Sequence, residues 1–429
     1  MCSTAHPLAV GGAFFRSLDL AARGVVLRHP ELPFAHPLDG GRAGVVHRSV
    51  DDTAAALGAD AAAYRALFAP LVEASDQITA DVFGGAFRRL PRHPLPLARF
   101  GLAGVASARS LVDRHFNTPE ARGLFAGVAA HSFRPLDKRP TAAFGLLLGM
   151  LAHSVGWPVV EGGSQVLANA MAAVLIDLGG TIVTGHEVRS LAELPQARAT
   201  LLDVTPAQLL RLGGSALPTS YRRSLRRFRY GPGVFKVDFA LSGPVPWTNP
   251  EVRRAGTVHL GGTFEEVAAS EADASAGRVS ASPYVLAVQA TVADPTRAPA
   301  GQHTLWTYCH VPHGSAADQT AAIESQVERF APGFRDLVIG RASRGAVEYE
   351  AYDANFVGGD INGGAQTIWQ TGFRPTPRWN PYSTALPGVY LCSASTPPGG
   401  GVHGMSGFNA AQAALTREFG MTREPLHVV

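Results

Sequence analysis

The stretch Pro398-Gly399-Gly400-Gly401-Val402-His403-Gly404-Met405-Ser406-Gly407 connects an apolar run to a helical pattern near the C-terminus. The run from Gly388 to Cys392 predicts a strand, and Ser406 begins a predicted helix that ends near Gly420. A strand, a glycine turn and a helix in this order form one step of an α/β fold. We therefore predict an α/β layer in this part of the chain.

Within this stretch, Gly399, Gly401 and Gly404 match the spacing G-x-G-x-x-G of dinucleotide-binding turns. The match is weak, because such a turn opens a βαβ unit and is followed by an acidic residue about 20 positions later. The glycines still allow a backbone to lie flat against a ligand ring, with the positive end of the next helix pointing at it. On spacing alone, a tight turn without a ligand is an equally good interpretation.

A second segment, 159–204, has a similar pattern. Val159-Val160 leads into the turn Gly162-Gly163, and a helical apolar face follows before two further strands are predicted at 181–184 and 199–204. The apolar face consists of Leu167, Ala170, Met171, Val174, Leu175 and Leu178. Strand, helix and strand with tight glycine turns are typical of a parallel α/β layer.

The remaining segments predict a different architecture. Residues 51–111 are rich in alanine, with apolar residues at helical spacing, so the N-terminal third is predicted to be mostly helical. Alternating Val and Phe in 234–241, with further apolar runs at 284–291 and 304–311, predict neighbouring strands of a mostly antiparallel sheet. At 429 residues the chain is long enough for two domains.

Composition excludes several classes of protein. The formal net charge of +3 does not favour a nucleic acid or an anionic membrane as partner. The three cysteines are far apart, so no disulfide framework or metal-binding spacing is predicted, and no secretory signal precedes Leu20. We therefore expect a cytoplasmic protein. The apolar window 144–160 predicts a buried helix, with a peripheral membrane contact at a substrate entrance as the alternative.

Two other patterns are weaker candidates for function. The arginine cluster at 222–229 could bind phosphate or nucleic acid, but its spacing beside Leu225 and Phe228 more often marks a solvated helix face. His310 and His313 are three residues apart without a carboxylate partner, so no metal site is predicted.

The sequence around the glycine stretch resembles a known motif. From Tyr390 to Gly407, with Asn409-Ala410-Ala411 after it, the chain resembles the C-terminal flavin-binding motif of the phytoene-desaturase-like branch of the flavin amine-oxidase superfamily. Other segments agree in the same order, so that the resemblance covers nearly the whole chain: Gly162-Gly163, 230–237, 244–247, 256–262 and 306–314.

This resemblance implies a mixed α/β (α+β) fold of two domains. Residues 155–212 and 384–429 would form an incomplete Rossmann-like FAD domain of the glutathione-reductase type. Residues 1–154 would form a helical part of the substrate domain, and residues 213–383 its mostly antiparallel sheet with helices.

The resemblance also implies functional residues. The loop from Ser395 to Met405 would lie along the isoalloxazine ring of FAD, the expected cofactor, while other residues would lie near its adenosine and pyrophosphate. The residues implied at the ring are Ser395, Gly400, Gly401, Gly404 and Met405, and those near the adenosine and pyrophosphate are Val188, Asp203 and Thr205.

Two further predictions concern the reaction itself. Lys236 resembles the lysine that related amine oxidases hold near flavin N5, although an ordinary strand lysine reaching solvent is an equal alternative. The alternation of Trp306, Tyr308 and His310 places three polar-tipped side chains on one strand face, where a substrate pocket or a packed sheet face would use them.

The chain departs from the family pattern at its start. Family members begin with a βαβ unit that carries G-x-G-x-x-G, whereas Met1 to Pro7 resembles the segment immediately after that unit. We expect a truncated sequence or a misplaced start. The expected function is that of an FAD-dependent oxidoreductase that removes hydride from an apolar or amine-like small molecule. The alternative is a flavin-free binding or scaffold protein, or a cofactor-independent isomerase.

Overall fold

The structure is a computed structural model that describes residues 4–84 and 90–421. Its strands, in chain order, are β1 (Leu27–Arg28), β2 (Leu32–Pro37), β3 (Ala43–Val46), β4 (Val159–Val160), β5 (Thr200–Leu202), β6 (Gly233–Leu241), β7 (Ala255–Leu260), β8 (Val285–Val288), β9 (His303–Val311), β10 (Val338–Arg344) and β11 (Val389–Leu391).

Helices surround these strands. In chain order they are α1 (Pro7–Gly11), α2 (Ala13–Arg16), α3 (Val50–Ala56), α4 (Ala61–Glu73), α5 (Ser75–Phe83), α6 (Pro94–Gly104), α7 (Ala108–His115), α8 (Pro119–Ala129), α9 (Thr141–Ser154), α10 (Ser164–Asp177), α11 (Pro206–Gly213), α12 (Thr219–Leu225), α13 (Phe264–Ser275), α14 (Ala290–Ala293), α15 (Thr320–Phe330), α16 (Ala346–Tyr352), α17 (Ile368–Phe373) and α18 (Met405–Phe419).

The main sheet contains seven strands in the order β10-β6-β9-β8-β7-β2-β3. All neighbours are antiparallel except β2 and β7, which pair in parallel. The predicted strands at 234–241, 284–291 and 304–311 correspond to β6, β8 and β9, and β9 lies between the other two. The prediction of a mixed fold with a mostly antiparallel sheet is therefore confirmed.

The main sheet is covered on both faces. On one face the apolar side chains of α15 pack against β6 and β9, with Trp247 fully buried in the same cluster. On the other face the helices α4, α8, α9 and α13 form the largest core. Helix α9, which contains most of the apolar window 144–160, is buried in that core, as the first of its two interpretations predicted.

The N-terminal third contains three strands that the sequence analysis did not predict. Strand β2 has proline at both Pro33 and Pro37, and all six of its residues are buried, so it shows neither alternation nor strand composition. Its partners β3 and β7 complete its hydrogen bonding from both sides. Tertiary pairing therefore outweighs the local pattern here.

The parallel layer is smaller than predicted. Strand β5 pairs in parallel with β11, but β4 pairs antiparallel with β1. The predicted strand at 181–184 is wrong, because these residues are irregular and exposed, and no described strand lies beside them. Helix α10 and its glycine end at Gly179 are confirmed, yet only Leu167 and Ala170 of its apolar face are buried.

For disulfides, metal sites and membrane-spanning helices, the structure gives information on the described residues only. Cys309 and Cys392 are free thiols, while Cys2 and the start Met1 to Ser3 lie outside the described residues. In the ranges 4–84 and 90–421, no group of His, Cys, Asp or Glu is arranged to hold a metal ion. Within the same ranges, no helix combines the length and the apolar character needed to cross a bilayer.

Candidate flavin-binding cavity

A cavity of about 610 Å³ lies beside the loop that follows β11. This volume is within the range of roughly 300–1,000 Å³ that ligand pockets occupy. The lining comes from the start of α18, the loops after β5 and β11, the segment 353–363, Phe14 and Met171. Strand β11, its loop and the first turn of α18 therefore form one wall, at the carboxyl end of two parallel strands.

Glycine shapes this wall. Gly399, Gly401 and Gly404 have φ of +117°, +125° and +68°, which side chains rarely permit. A Cβ on Gly404 would lie 2.1 Å from the ring of Phe14, and one on Gly401 would lie 2.4 Å from Leu8. Gly407 differs, because a Cβ there would meet no protein atom within 4 Å although the residue lines the cavity. The wall is thus formed by backbone, and the space beside Gly407 is open.

His403 fixes the loop to the helix. Its Nδ1 accepts a hydrogen bond from the Met405 amide (3.0 Å), so its other nitrogen, Nε2, donates to the Gly399 carbonyl (3.1 Å). Burial lowers the pKa of His403 to about 4, which keeps the ring neutral and this tautomer in place. The ring also packs against Phe83 at 5.4 Å between centroids.

Arg374 supports the same wall from behind. Its buried guanidinium donates to the carbonyls of Ala394 (3.0 Å) and Gly364 (3.3 Å), and so ties the β11 loop to the segment 360–366. Burial lowers the pKa of Arg374 to about 10, and the neighbouring Asp360 carboxylate opposes that shift. Ser395 adds a second tie between the two segments, because its hydroxyl donates to the Gly363 carbonyl (2.8 Å).

The other end of the cavity is acidic and polar. Asn355 donates to the Asp203 carbonyl (2.9 Å) and accepts from the Thr205 amide (3.1 Å), which fixes the end of β5. Burial, followed by the nearby carboxylate of Asp353, raises the pKa of Asp203. A ligand that donates hydrogen bonds, such as a ribose hydroxyl, would suit this end.

The predicted cofactor residues have different positions relative to the cavity. Five line it, and two lie in the wall without lining it. The lining residues are Asp203, Thr205, Ser395, Gly401 and Gly404, and the other two are Gly400, which packs against Asn362, and Met405, which is buried at the start of α18. Val188 lies in an irregular segment and does not line the cavity. Their roles toward a cofactor stay predictions.

Lys236 and the three predicted pocket residues lie on the face of the main sheet. Lys236 is buried, forms an ion pair with Asp238 on its own strand, and lies 5.5 Å from the centroid of the Trp306 ring. Trp306, Tyr308 and His310 share one face of β9, as their alternation predicts, and they pack on one another. None of the four lines the cavity, so their roles toward a ligand stay predictions.

This sheet face is closed by other rings. Phe133, the one non-glycine residue with positive φ among those described (+55°), lies 3.8 Å from the His310 ring between centroids. Nδ1 of His310 lies 2.7 Å from the Glu271 carboxylate, and both side chains are fully buried. Nε2 of His131 lies 3.1 Å from Nε2 of His259. We call His36, His131, His259, His310 and Glu271 the buried histidine cluster; all but the partly exposed His131 are buried.

The sequence analysis missed several lining residues. Phe14, Met171, Asp353, Asn355, Phe356, Ile361 and Gly363 reach the cavity from distant parts of the chain. The only local signal was glycine at 358, 359, 363 and 364, four positions that all have positive φ and mark a tightly turned segment. Nothing local indicated that this segment packs against the β11 loop.

These residues fit the ring of a flavin better than a bulky branched ligand. The wall presents glycine backbone and an open space at Gly407, and the first turn of α18 provides a positive helix end at the cavity. A flat ring that gains negative charge suits both features. The described residues include no second glycine-rich turn between a parallel strand and a helix that would receive a pyrophosphate at this cavity.

Comparisons with known proteins agree with this geometry. No protein-family model matches the chain. A pyridine nucleotide-disulfide oxidoreductase domain-containing protein 2 of Rattus norvegicus is 27% identical over 357 residues, covering 72% of this chain and 60% of its own length. A phytoene desaturase (neurosporene-forming) of Rhodobacter capsulatus is 25% identical over 308 residues. This match covers 65% of this chain and 58% of the desaturase. The chain thus spans about 60% of the length of these relatives.

Solved structures agree on the fold. An oxidoreductase from Methanosarcina mazei matches 96% of this chain and 86% of its own, with a TM-score of 0.60 and 14% identity. A match to a putrescine oxidase covers 96% of this chain and 87% of that protein, with a TM-score of 0.57 and 15% identity. At these identities the match establishes the fold alone.

Proposed function

We propose that this chain, a relative of the FAD-dependent amine-oxidase superfamily in sequence and in fold, is a flavin-dependent oxidoreductase acting on an apolar or amine-like small molecule. The observation that carries the proposal is the glycine-walled cavity at the carboxyl ends of β5 and β11. Relatives named as an oxidoreductase and a desaturase support the same reaction class, and the fold is similar to that of a putrescine oxidase.

The chain's own residues would bind and orient the ring of FAD. The backbone of Ser395, Gly401 and Gly404 would lie against one face, since glycine conformations leave that face free of side chains. The first turn of α18 would stabilise negative charge that develops on the ring, and the Asp203 carboxylate, at the strand end that Asn355 fixes, would accept hydrogen bonds from the ribose. When bound, the flavin supplies the hydride acceptor.

Binding of three flavins tests the proposal. The purified chain is titrated with riboflavin, FMN and FAD while the flavin fluorescence is followed. If no residue contacts the phosphate, riboflavin and FMN bind with dissociation constants within about tenfold of each other, because a phosphate contact would add more than about 1.4 kcal/mol. Saturable quenching by all three supports the proposal. Failure of all three to bind contradicts it and favours the flavin-free alternative.

A further inference from the structure

One surface combines exposed aromatic rings with exposed arginines. Two of the five tryptophans in the chain are strongly exposed, Trp369 (66%) and Trp379 (87%), whereas Trp157 and Trp247 are buried. Ile368 (50%) and Phe373 (42%) are exposed beside Trp369 on the short helix α17. We call this region, together with the exposed arginines 223, 226, 227 and 229, the Arg–Trp surface.

The two parts of the Arg–Trp surface are in contact. The Gln370 side chain accepts from the Arg229 amide (3.0 Å) and donates to the Arg229 carbonyl (2.8 Å). The Arg378 guanidinium lies 5.3 Å from the ring centroid of Tyr221, which is on α12 together with Arg223. Residues distant in sequence therefore lie side by side at this surface.

The sequence segments that form this surface contain arginines but no acidic residues. No Asp or Glu occurs between residues 204 and 235, or between residues 361 and 381, although these segments carry eight arginines, of which Arg374 is buried. In the part of the chain that the structure describes, none of the arginines at 222–229 forms an ion pair. The net charge of +3 therefore hides a strong local excess of positive charge.

We infer that the Arg–Trp surface binds the anionic phospholipid surface of a membrane. Exposed arginines attract anionic headgroups, each contributing about 1 kcal/mol near the membrane. Tryptophan is enriched at the membrane–water interface, because its ring is apolar and its N–H is polar. Ile368 and Phe373 would contact the acyl region beneath the headgroups.

A membrane fits this surface better than a nucleic acid does. The rings of Trp369 and Phe373 lie 4.3 Å apart between centroids at an angle of 33°, so each covers one of the two faces that the other could offer to a base. Ile368 offers no stacking face or hydrogen bond. A lipid surface requires neither, because it accepts apolar side chains of any shape.

The Arg–Trp surface lies directly behind the cavity wall. Gln370 donates to the Ala365 carbonyl (3.0 Å), and Arg374, one residue after α17, holds the carbonyls of Gly364 and Ala394. Gly363 and Ala394 line the cavity. If the proposed oxidoreductase acts on an apolar molecule, membrane contact here would place the cavity close to a bilayer reservoir of substrate; this consequence rests on the proposed function, whereas the binding surface does not.

Vesicle binding tests the inference. The protein is mixed with vesicles of phosphatidylglycerol and phosphatidylcholine, and separately with vesicles of phosphatidylcholine alone, and is followed by sedimentation and tryptophan fluorescence. We expect binding only to the anionic vesicles, weakened by salt, with a shift of the emission to shorter wavelength. That shift should shrink in Trp369→Phe with Trp379→Phe. No binding to anionic vesicles overturns the inference.

Matched variants locate the contact. Arg226→Gln with Arg227→Gln should weaken vesicle binding about 30-fold, at about 1 kcal/mol per arginine. The control pair Arg99→Gln with Arg114→Gln, two exposed arginines outside this surface, should change it less than about threefold. Leu102→Ser, which removes an exposed apolar side chain on α6, should also leave it unchanged. The assignment of vesicle binding to the Arg–Trp surface is overturned if the control variants lose binding while Arg226→Gln with Arg227→Gln retains it.

Two other partners are distinguished in the same series. The protein is titrated with single-stranded oligothymidine at the same ionic strength, and tighter binding to this probe than to the vesicles overturns the inference. Sedimentation equilibrium without vesicles tests a second copy as the occupant. Conversion of a dimer to a monomer by Trp369→Ser with Trp379→Ser, without any effect on vesicle binding, also overturns it. Because none of these measurements needs flavin, they stand independently of the proposed reaction.

Discussion

Two regions of the molecule differ in packing, because one borders an open cavity and the other is filled by side chains. The loop after β11 borders a cavity of about 610 Å³, whereas the inward face of β9 is covered by Phe133 and the buried histidine cluster. The first region lacks side chains at Gly399, Gly401 and Gly404, and the second fills its space with rings that hydrogen-bond one another. Open space is therefore retained where glycine holds the backbone, and polar-tipped rings on a sheet are not sufficient to make a pocket.

The largest expected effect breaks the glycine wall. Gly404→Val should lower the free energy of unfolding by about 2–5 kcal/mol, because it adds left-handed strain of about 1–2 kcal/mol and a clash of about 1–3 kcal/mol with Phe14. Gly407→Ala, three residues later in open space, should not destabilise the protein. Urea unfolding of both variants gives the comparison. Equal stability of the two variants would show that the wall is not held by this glycine.

A smaller effect should follow from opening the closed region. His310→Leu removes the hydrogen-bond partner of the fully buried Glu271, and should cost about 3 kcal/mol of unfolding free energy. The control Arg65→Gln breaks an exposed ion pair with Asp51 and should cost less than about 1 kcal/mol. Similar losses in both variants would mean that the buried pair does not hold the sheet face closed.

Acid should destabilise the protein mainly through the closed region, because burial lowers the pKa of three histidines there and of one, His403, in the cavity wall. Burial lowers the pKa of His36 to about 4 and of His131 to about 3, and it lowers the pKa of His259 well below 6.5. Because the folded pKa values lie below the unfolded value, the unfolded chain binds more protons as pH falls below about 6.5, and stability is lost toward pH 4.

Each of these histidines should cost about 1.4 kcal/mol when the pH is about one unit below 6.5. His259→Phe should therefore flatten the pH dependence of the unfolding free energy by about that amount. Urea unfolding at a series of pH values measures the slope, with the wild type as reference. An unchanged slope would show that His259 is accessible to protons in the folded state.

The smallest expected effect concerns Lys236. Its side chain does not line the cavity and pairs with Asp238, which is half exposed. Lys236→Met should therefore change riboflavin affinity by less than about threefold, a difference below about 1 kcal/mol. Fluorescence titration gives the two dissociation constants. A loss of affinity well beyond that would place the ammonium closer to the ring than the cavity lining indicates.

The parts of the fold that could be predicted from the sequence have strong local patterns. The strands β6, β8, β9 and β11 and the helix α18 follow from apolar runs and glycine ends. The strand predicted at 181–184 fails because Ile182 and Val183 are exposed, with no described strand beside them. Strand β2 was missed because Pro33 and Pro37 conceal it.

The residues of the site also divide into those that a local sequence pattern predicts and those that it does not. Ser395, Gly401 and Gly404 could be named from a motif contiguous in sequence, and they line the cavity. Asn355 and Gly363 could not, because they reach the cavity only through long-range hydrogen bonds with Asp203, Thr205 and Ser395. Whether β9 carries a pocket or a packed face depends on Phe133, 173 positions before Trp306, and no pattern in β9 contains that information.

The central claim is that the open region receives a flavin ring. Riboflavin is titrated into the wild type, into Gly407→Leu and into the control Gly101→Leu; both glycines lie in helices, and a Cβ on either would meet no protein atom within 4 Å. The account predicts that Gly407→Leu folds as stably as the wild type but loses at least about tenfold in affinity, while Gly101→Leu binds normally. Unchanged riboflavin affinity in Gly407→Leu would contradict it.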